Sequence, residues 1–333
     1  MCPTHIMQRE ILPQGAGIID RPRLVQRLQG ALDHKLTLLT APPGFGKTTL
    51  VAQLTRDART PVAWQTLDER SRDLPNLYSQ AINALSAITP GITQLAPPYG
   101  YGPGELATLI ADHLAENLSG ELIYVLDDVH QLTGAGPAET WLRELVTALP
   151  SNCHLILASR TLPRLPLVEM IARGEVLAIG PDELRFTTEE ITELGDVLLG
   201  FPPEEDQVQQ LAAPPLEGWP AGTVLAFHPL PPELEQMALS GQGGPEALFE
   251  ALARIMLQTQ PLTIRNFLLA SSTLARLPPV ACTEALDLTN SVQMLMEIQS
   301  RNLFVTRVPG ALVYHTLFRS FLQTELKNSN AEH

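Results

Sequence analysis

The chain is short of cysteine, of basic residues, of aromatics and of long apolar runs, and each shortage closes off a class of protein. Its three cysteines, Cys2, Cys153 and Cys282, lie far apart and form no CxxC pair. That spacing argues against a disulfide framework or a zinc site and fits a reducing cytoplasm. The 22 Lys and Arg are outnumbered by 36 Asp and Glu, a formal charge of −14 that repels phosphate backbones. Direct nucleic-acid binding is therefore not expected. No run approaches the roughly eighteen apolar residues of a membrane span. The opening "MCPTHIMQREILPQG" has no basic region ahead of an apolar stretch. Neither secretion nor a membrane anchor is expected. Repeats and low-complexity tails are missing too, whereas 29 prolines exceed ordinary usage and fall mostly between periodic segments.

What the chain has is a length sufficient for about two domains and a change of rhythm along it. From Leu36 to about Ile179 short apolar runs alternate with longer helical patterns, which predicts βαβ units and a parallel sheet. The expected strands are 36–40, 62–67, 121–128, 154–159 and 175–180, with helices at 47–57, 74–88, 105–118, 138–148 and near 166–172. Runs such as "LIYVL" predict strands covered on both faces. Beyond Phe186 the pattern turns helical: Thr187 and Glu190 have capping-box spacing ahead of an amphipathic stretch to about Leu199. Residues 228–245 are expected to be an exposed connection. Helices are then expected at 246–258, 261–273, 279–286 and 290–299, followed by a hairpin turning at Pro309-Gly310 and a closing helix, "TLFRSFLQTEL".

The densest signal is "LTLLTAPPGFGKTTL", residues 36–50. Positions 41–48 follow the P-loop pattern GxxxxGK(S/T), except that Ala41 stands where the first glycine belongs. Gly44, Phe45, Gly46, Lys47, Thr48 and Thr49 keep the chemistry: backbone N–H groups for a β-phosphate, a cation for the β- and γ-phosphates, and a hydroxyl for Mg2+. A Gly/Pro turn with a solvated lysine would look the same in isolation, but this one follows an expected strand and opens an expected helix. Asp127 and Asp128 end the run "LIYVLDD". Asp127 is the candidate partner of Mg2+, and Asp128 the candidate to orient or activate an attacking water. His130 either links this strand to the γ-phosphate or caps the next loop. Arg160, after "HLILAS", either counts a third phosphate through a charge-assisted bond that ADP cannot make or is a surface arginine at a strand end.

Together "TAPPGFGKTTLVAQL", "VLDDVHQL", "LILASRTLPRLPLVEMIARGEVLAI", "LRFTTEEI", "EGWPAG" and "YHTLFRSFL" resemble, in content and order, the STAND signal-transduction ATPases of the MalT-like branch, from about Ile18 to Leu326. The resemblance implies three domains that close over ADP at rest and open when ATP and an inducer bind. It implies that Arg21 and Pro22 in "IDRPRL" wrap the adenine, that Gly218 and Pro220 form a GxP motif packing on the base, and that His315 reaches the β-phosphate of ADP. Read alone, "GWP" is equally a helix start with a core tryptophan, and His315 a core histidine. Relatives of this branch continue into a helical-repeat sensor and a LuxR-type helix-turn-helix, and no such DNA-reading pattern follows here.

The expected fold is α/β: a doubly wound parallel-sheet P-loop NTPase domain over 1–186, a helical domain over 187–245 and a winged-helix-like domain over 246–333. The expected function is a switch binding ATP or ADP with Mg2+, slow in hydrolysis, acting in transcriptional regulation through a protein partner or self-association in the ATP state. A catalytic P-loop enzyme, such as a small-molecule kinase or mechanical ATPase, stands against it. A scaffold that binds nucleotide without hydrolysing it is the third reading.

Overall fold

The computed structural model describes residues 18–56, 58–95, 99–214, 216–227, 249–250, 253–254, 256–258, 260–286, 291–301 and 303–331. Cys2, the connection expected at 228–245 and parts of the helix expected at 246–258 lie outside these residues. The chain divides into two compact units. The first holds 22–42 and 47–183; the second holds the segment ending at Arg21, the loop residues 43–46 and everything from Leu184 onward.

The first unit is built on the expected strands: β1 (Leu36–Thr40), β2 (Val62–Thr66), β3 (Leu122–Asp127), β4 (Cys153–Ser159) and β5 (Val176–Ile179). All pair in parallel, in the order β2-β3-β4-β1-β5. Helices cross between them: α1 (Pro22–Gln29) ahead of β1, then α2 (Lys47–Arg56), α3 (Leu74–Leu85), α4 (Pro103–Asn117), α5 (Gly136–Ala148) and α6 (Leu167–Ala172). Period-two alternation sorts the strand residues by face. Leu36, Leu38, Tyr124, Leu126, Leu155 and Leu157 join one buried cluster with Leu77, Ile110, Trp141 and Leu145 from α3, α4 and α5. Their alternates, such as Leu39, Val125 and Ile156, face the other way and are also buried. Sequence neighbours β1 and β2 are separated in the sheet by β4 and β3, so the chain order reverses at β1, where such sheets carry their ligands.

Helix α1 is not expected from the sequence, where residues 19–24 are expected only to wrap the adenine. Pro22 sits at its first position, where a missing N–H is harmless, and Leu24 and Leu28 are buried one turn apart.

In the second unit, α7 (Thr188–Leu199) starts at the expected capping box, with the Thr187 hydroxyl accepting from the Glu190 amide and the Glu190 carboxylate accepting from the Thr187 amide. It ends at Gly200, whose positive φ of 79° closes the helix. Then come α8 (Glu205–Ala212), α9 (Pro220–Ala226), α10 (Leu262–Ser271), α11 (Pro279–Leu286) and α12 (Ser291–Ser300). The expected hairpin is β6 (Val305–Val308) and β7 (Ala311–Tyr314), turning at Pro309-Gly310, and α13 (Thr316–Ala331) follows. Phe318 and Phe321 of α13, with Tyr314 and Phe304, make the aromatic centre of this part. Among the described residues no helix is long and apolar enough to cross a membrane.

Candidate functional site

The first unit gathers the charged groups. β1 ends at Thr40, and α2 starts at Lys47, as a P-loop between strand and helix requires. The Lys47 ammonium folds back over its own loop, donating to the carbonyls of Ala41 at 2.7 Å and Pro42 at 3.1 Å. Burial holds it down to about 8, against the pull of Asp127 and Asp128 and with the Arg160 charge pushing the same way as burial. One residue into the loop's helix, the Thr48 hydroxyl donates to Asp127 Oδ2 at 2.8 Å. Asp127 is 3% exposed, and burial, reinforced by Asp128, lifts its carboxyl to about 6. A hydroxyl and a buried carboxylate in contact are the hard oxygen donors a Mg2+ ion takes. A carboxylate lifted this far is one that a divalent cation would complete. The residues present therefore fit the metal and the phosphate chain that the sequence implied.

Asp128 adopts a left-handed conformation, φ 59° and ψ 39°, and its amide donates to Asp127 Oδ1 at 2.9 Å. Left-handed backbone at a non-glycine residue is strained by about 1–3 kcal/mol and clusters at functional sites. It carries the Asp128 side chain to 3.7 Å from His130 Nδ1, in the short 3-10 turn Val129–Leu132. Burial lowers the His130 pKa, while Asp128 acts against it. His130 also lines a cavity of about 50 Å3 with Ser159, Thr133, Glu139 and Arg164. Arg160 follows the last residue of β4, and its charge is felt by both Lys47 and His130. The structure thus brings Lys47, Thr48, Asp127, Asp128, His130 and Arg160 together at one end of the sheet. Thr49 lies next to them in α2, and Pro22 opens α1 with its ring exposed.

The second unit holds the crest of the same loop. Gly44 and Gly46 flank Phe45 with positive φ, 81° and 76°. The Pro43 carbonyl accepts from the Trp219 indole at 3.3 Å and the Gly44 carbonyl from the Ala221 amide at 3.0 Å. A Cβ on Gly44 would lie 2.7 Å from Ala221 Cβ and 3.0 Å from Leu317 Cδ1, so that position admits only glycine. Phe45 is buried, with the Arg185 guanidinium 6.0 Å from its ring.

Gly218 has φ 69°, and a Cβ there would meet the Phe186 carbonyl at 2.3 Å. Pro220 opens α9. Arg21 is 5% exposed and reaches the Glu190 carboxylate at 3.0 Å and the carbonyls of Leu184 and Arg185 at 2.9 and 2.8 Å, with its guanidinium 4.7 Å over the Phe186 ring. His315 precedes α13, its amide donating to Phe304 at 2.8 Å and its ring lying among Phe249 and Phe304. Sequence reasoning missed Trp219, Ala221, Arg185 and Glu190. Glu190 had a signal, the capping-box spacing, but nothing local marked it as a partner of Arg21, 169 positions away.

Comparison with known proteins gives the same outline. Residues 252–333 match the MalT winged helix domain family model. Over 318 residues the chain is 29% identical to the HTH-type transcriptional regulator MalT of Yersinia enterocolitica, covering 91% of this chain and 34% of that protein. The MalT regulator of Yersinia pestis matches over 316 residues with the same identity and coverage, 29%, 91% and 34%. The chain spans about a third of the length of these curated relatives. In three dimensions it is similar to a Signal Transduction ATPase with Numerous Domains (STAND) protein with a tetratricopeptide repeat sensor from Pyrococcus horikoshii. The TM-score is 0.62 at 16% identity, covering 94% of this chain and 43% of that one, a likeness of fold. The chain is thus similar to MalT regulators over most of its length, shares the fold of a STAND protein, and matches a MalT winged-helix model over its C-terminal part.

Proposed function

We propose that this chain is a nucleotide-controlled conformational switch, holding ADP in one state and ATP with Mg2+ in the other, and resetting itself by slow hydrolysis. The observation that carries the reading is the contact of Thr48 with the buried Asp127 carboxylate beside Lys47, a charge arrangement that a phosphate chain and its metal would complete. Mg2+, when bound, neutralises charge on the β- and γ-phosphates and favours loss of the terminal one. Lys47 would leave its carbonyl partners for the phosphates, Thr48 and Asp127 would hold the metal, and Asp128 would orient the attacking water. The crest amides around Gly44, Phe45, Gly46 and the start of α2, Thr49 included, would wrap the β-phosphate.

A switch needs the two nucleotides to prefer different states. Arg160 is suited to sense the γ-phosphate because its charge already bears on Lys47. His315 is suited to report ADP. It lies two residues before Leu317, which packs against Gly44 of the loop crest. Arg21 is occupied by Glu190 and backbone carbonyls, so in this reading it tethers the segment that shapes the base site, with Pro22, Gly218 and Pro220 placing backbone and ring there. In this reading the domains are those expected from the sequence, with breaks near 186 and 245. The ATP state would be read by a protein partner or by a second copy of the chain, in transcriptional regulation in a reducing cytoplasm.

Two measurements test this. Denaturing freshly purified protein should release ADP, whereas an empty site with turnover of roughly 1–100 s⁻¹ would favour a catalytic P-loop enzyme. Arg160→Ala and His315→Ala should each change the ratio of ATP to ADP affinity. An unchanged ratio in both removes the switch assignment.

A further inference from the structure

A P-loop binds phosphate only if its amides point inward, and backbone geometry says what else that demands. In a planar trans peptide the carbonyl and the following N–H point in opposite directions. Aiming the Gly44 and Phe45 amides at a phosphate therefore turns the Pro43 and Gly44 carbonyls away from it. Those carbonyls then need donors of their own wherever water is excluded. In this chain they have them: the Trp219 indole N–H for Pro43 and the Ala221 amide for Gly44.

The tryptophan is built into place. Trp219 is 1% exposed, and its ring stands edge-on to Phe249 at 5.9 Å. The ring lies in a slot with glycine at both ends: a Cβ on Gly222 would come within 2.5 Å of its Cε3, and one on Gly44 within 3.0 Å of its Nε1. The approach to it is strained at Glu217, a left-handed non-glycine residue with φ 48°, ahead of Gly218 at φ 69°. That turn is pinned at several points. The Gly218 amide donates to Leu211 and the Phe186 amide to Gly218, while Arg185 donates to the Glu217 carbonyl and pairs with its carboxylate at 2.8 Å. Observed strain with this many restraints marks a position held for a purpose.

We propose that Trp219 is a positioning residue for the nucleotide phosphates. Its indole N–H, assisted by the Ala221 amide, fixes the outer carbonyls of the loop crest and so presets the inner amides for the phosphate chain. The proposal rests on the nucleotide reading above and deepens it. It also separates the roles of neighbours: Pro220 belongs with the base, Trp219 with the phosphates.

The test compares ligands that differ only in phosphate number. Binding of Mg-ADP and of AMP would be measured by calorimetric competition on the whole chain, for the native protein, for Trp219→Phe, and for position 219 carrying a benzothiophene isostere that keeps the bicyclic shape and lacks the N–H. Losing one neutral hydrogen bond corresponds to roughly a two- to tenfold change. Mg-ADP should weaken by that factor in both variants while AMP binding stays as it was. Equal losses for ADP and AMP would make Trp219 a support of the fold or of the base, and undiminished ADP binding would make its N–H irrelevant; either overturns the proposal. A native protein that binds neither ATP nor ADP sinks the nucleotide reading first, and the proposal with it.

Discussion

The two halves of the P-loop are held by different means. At its start and at its helix, Lys47, Thr48 and Asp127 are held by charge: an ammonium lowered to about 8 and a carboxyl raised to about 6, both mainly by burial. At its crest, residues 43–46 carry no charge and are held by shape: two hydrogen bonds to carbonyls and a glycine at 44 with no room for a methyl group. In the proposed switch the charged half would change partners when a phosphate arrives, because its groups are incompletely compensated. The uncharged half gains only if it does not move. The difference suggests that binding energy is generated at one end and orientation is supplied at the other.

The sharpest way to break the comparison is a methyl group at each of two glycines. Gly218 and Gly46 both have positive φ, but a Cβ on Gly218 would strike the Phe186 carbonyl at 2.3 Å, whereas one on Gly46 meets nothing within 4 Å. Gly46→Ala should destabilise by about 1–2 kcal/mol from backbone strain alone. Gly218→Ala should lose roughly 3 kcal/mol or more, since backbone must move as well. Denaturant titration of both variants decides it; equal losses would mean that the Gly218 turn yields freely.

Lys47→Met probes the charged half. Removing a buried ammonium that is poorly compensated should leave stability within about 1 kcal/mol of native, because the desolvation penalty is removed with the attraction. Nucleotide affinity should fall by roughly 10- to 150-fold, the value of a hydrogen bond to a charged group. A variant several kcal/mol less stable that still binds ADP with native affinity would reverse the roles given to the two halves.

A milder perturbation concerns the crest. Gly44→Ala would place a methyl 2.7 Å from Ala221 Cβ, and Ala221→Gly makes space for it. The double variant should recover part of the lost nucleotide affinity and stability, a coupling of about 0.5–3 kcal/mol. Recovery is incomplete because φ at position 44 is 81° and Leu317 and the Trp219 indole still stand at 3.0 Å. Strict additivity would show that Gly44 and Ala221 do not meet.

This division also explains what was legible in the sequence. The five strands announced themselves as apolar runs between helical patterns, with Lys47 and Thr48 as candidates at a helix start and Asp127 and Arg160 as candidates at strand ends. The hairpin at Pro309-Gly310 was equally local. Trp219 was not legible as a partner of the loop, because its hydrogen bond spans 176 positions and no spacing rule reaches that far. Nor was the occupation of Arg21 by Glu190, since each residue had a local explanation, one in a wrapping segment and one in a capping box. Groups that act through charge are conspicuous in sequence, and groups that act through fit become visible only when distant segments are brought into contact.

The smallest expected effect lies away from the loop and asks whether the sheet beneath the charged half is rigid. Cys153 opens β4 and is fully buried; burial pushes its thiol up to about 12, with Lys35 acting weakly the other way. The thiolate is the reactive species, so alkylation at pH 8 should be at least about 100-fold slower in the native protein than in denaturant. Because the folded value lies above the unfolded one, near 8.5, the thiol's contribution to stability is complete below that pH and declines as pH rises towards about 12. The difference in unfolding free energy between the native protein and Cys153→Ala should therefore fall between pH 8 and pH 10, a subtraction that removes the opposite trend of Lys47 over the same range. Mass spectrometry of alkylated native protein reads the local motion directly. Rapid stoichiometric labelling of Cys153 would mean that the strand beside β1 opens readily, and that charge at the start of α2 rests on a less rigid base than the crest does.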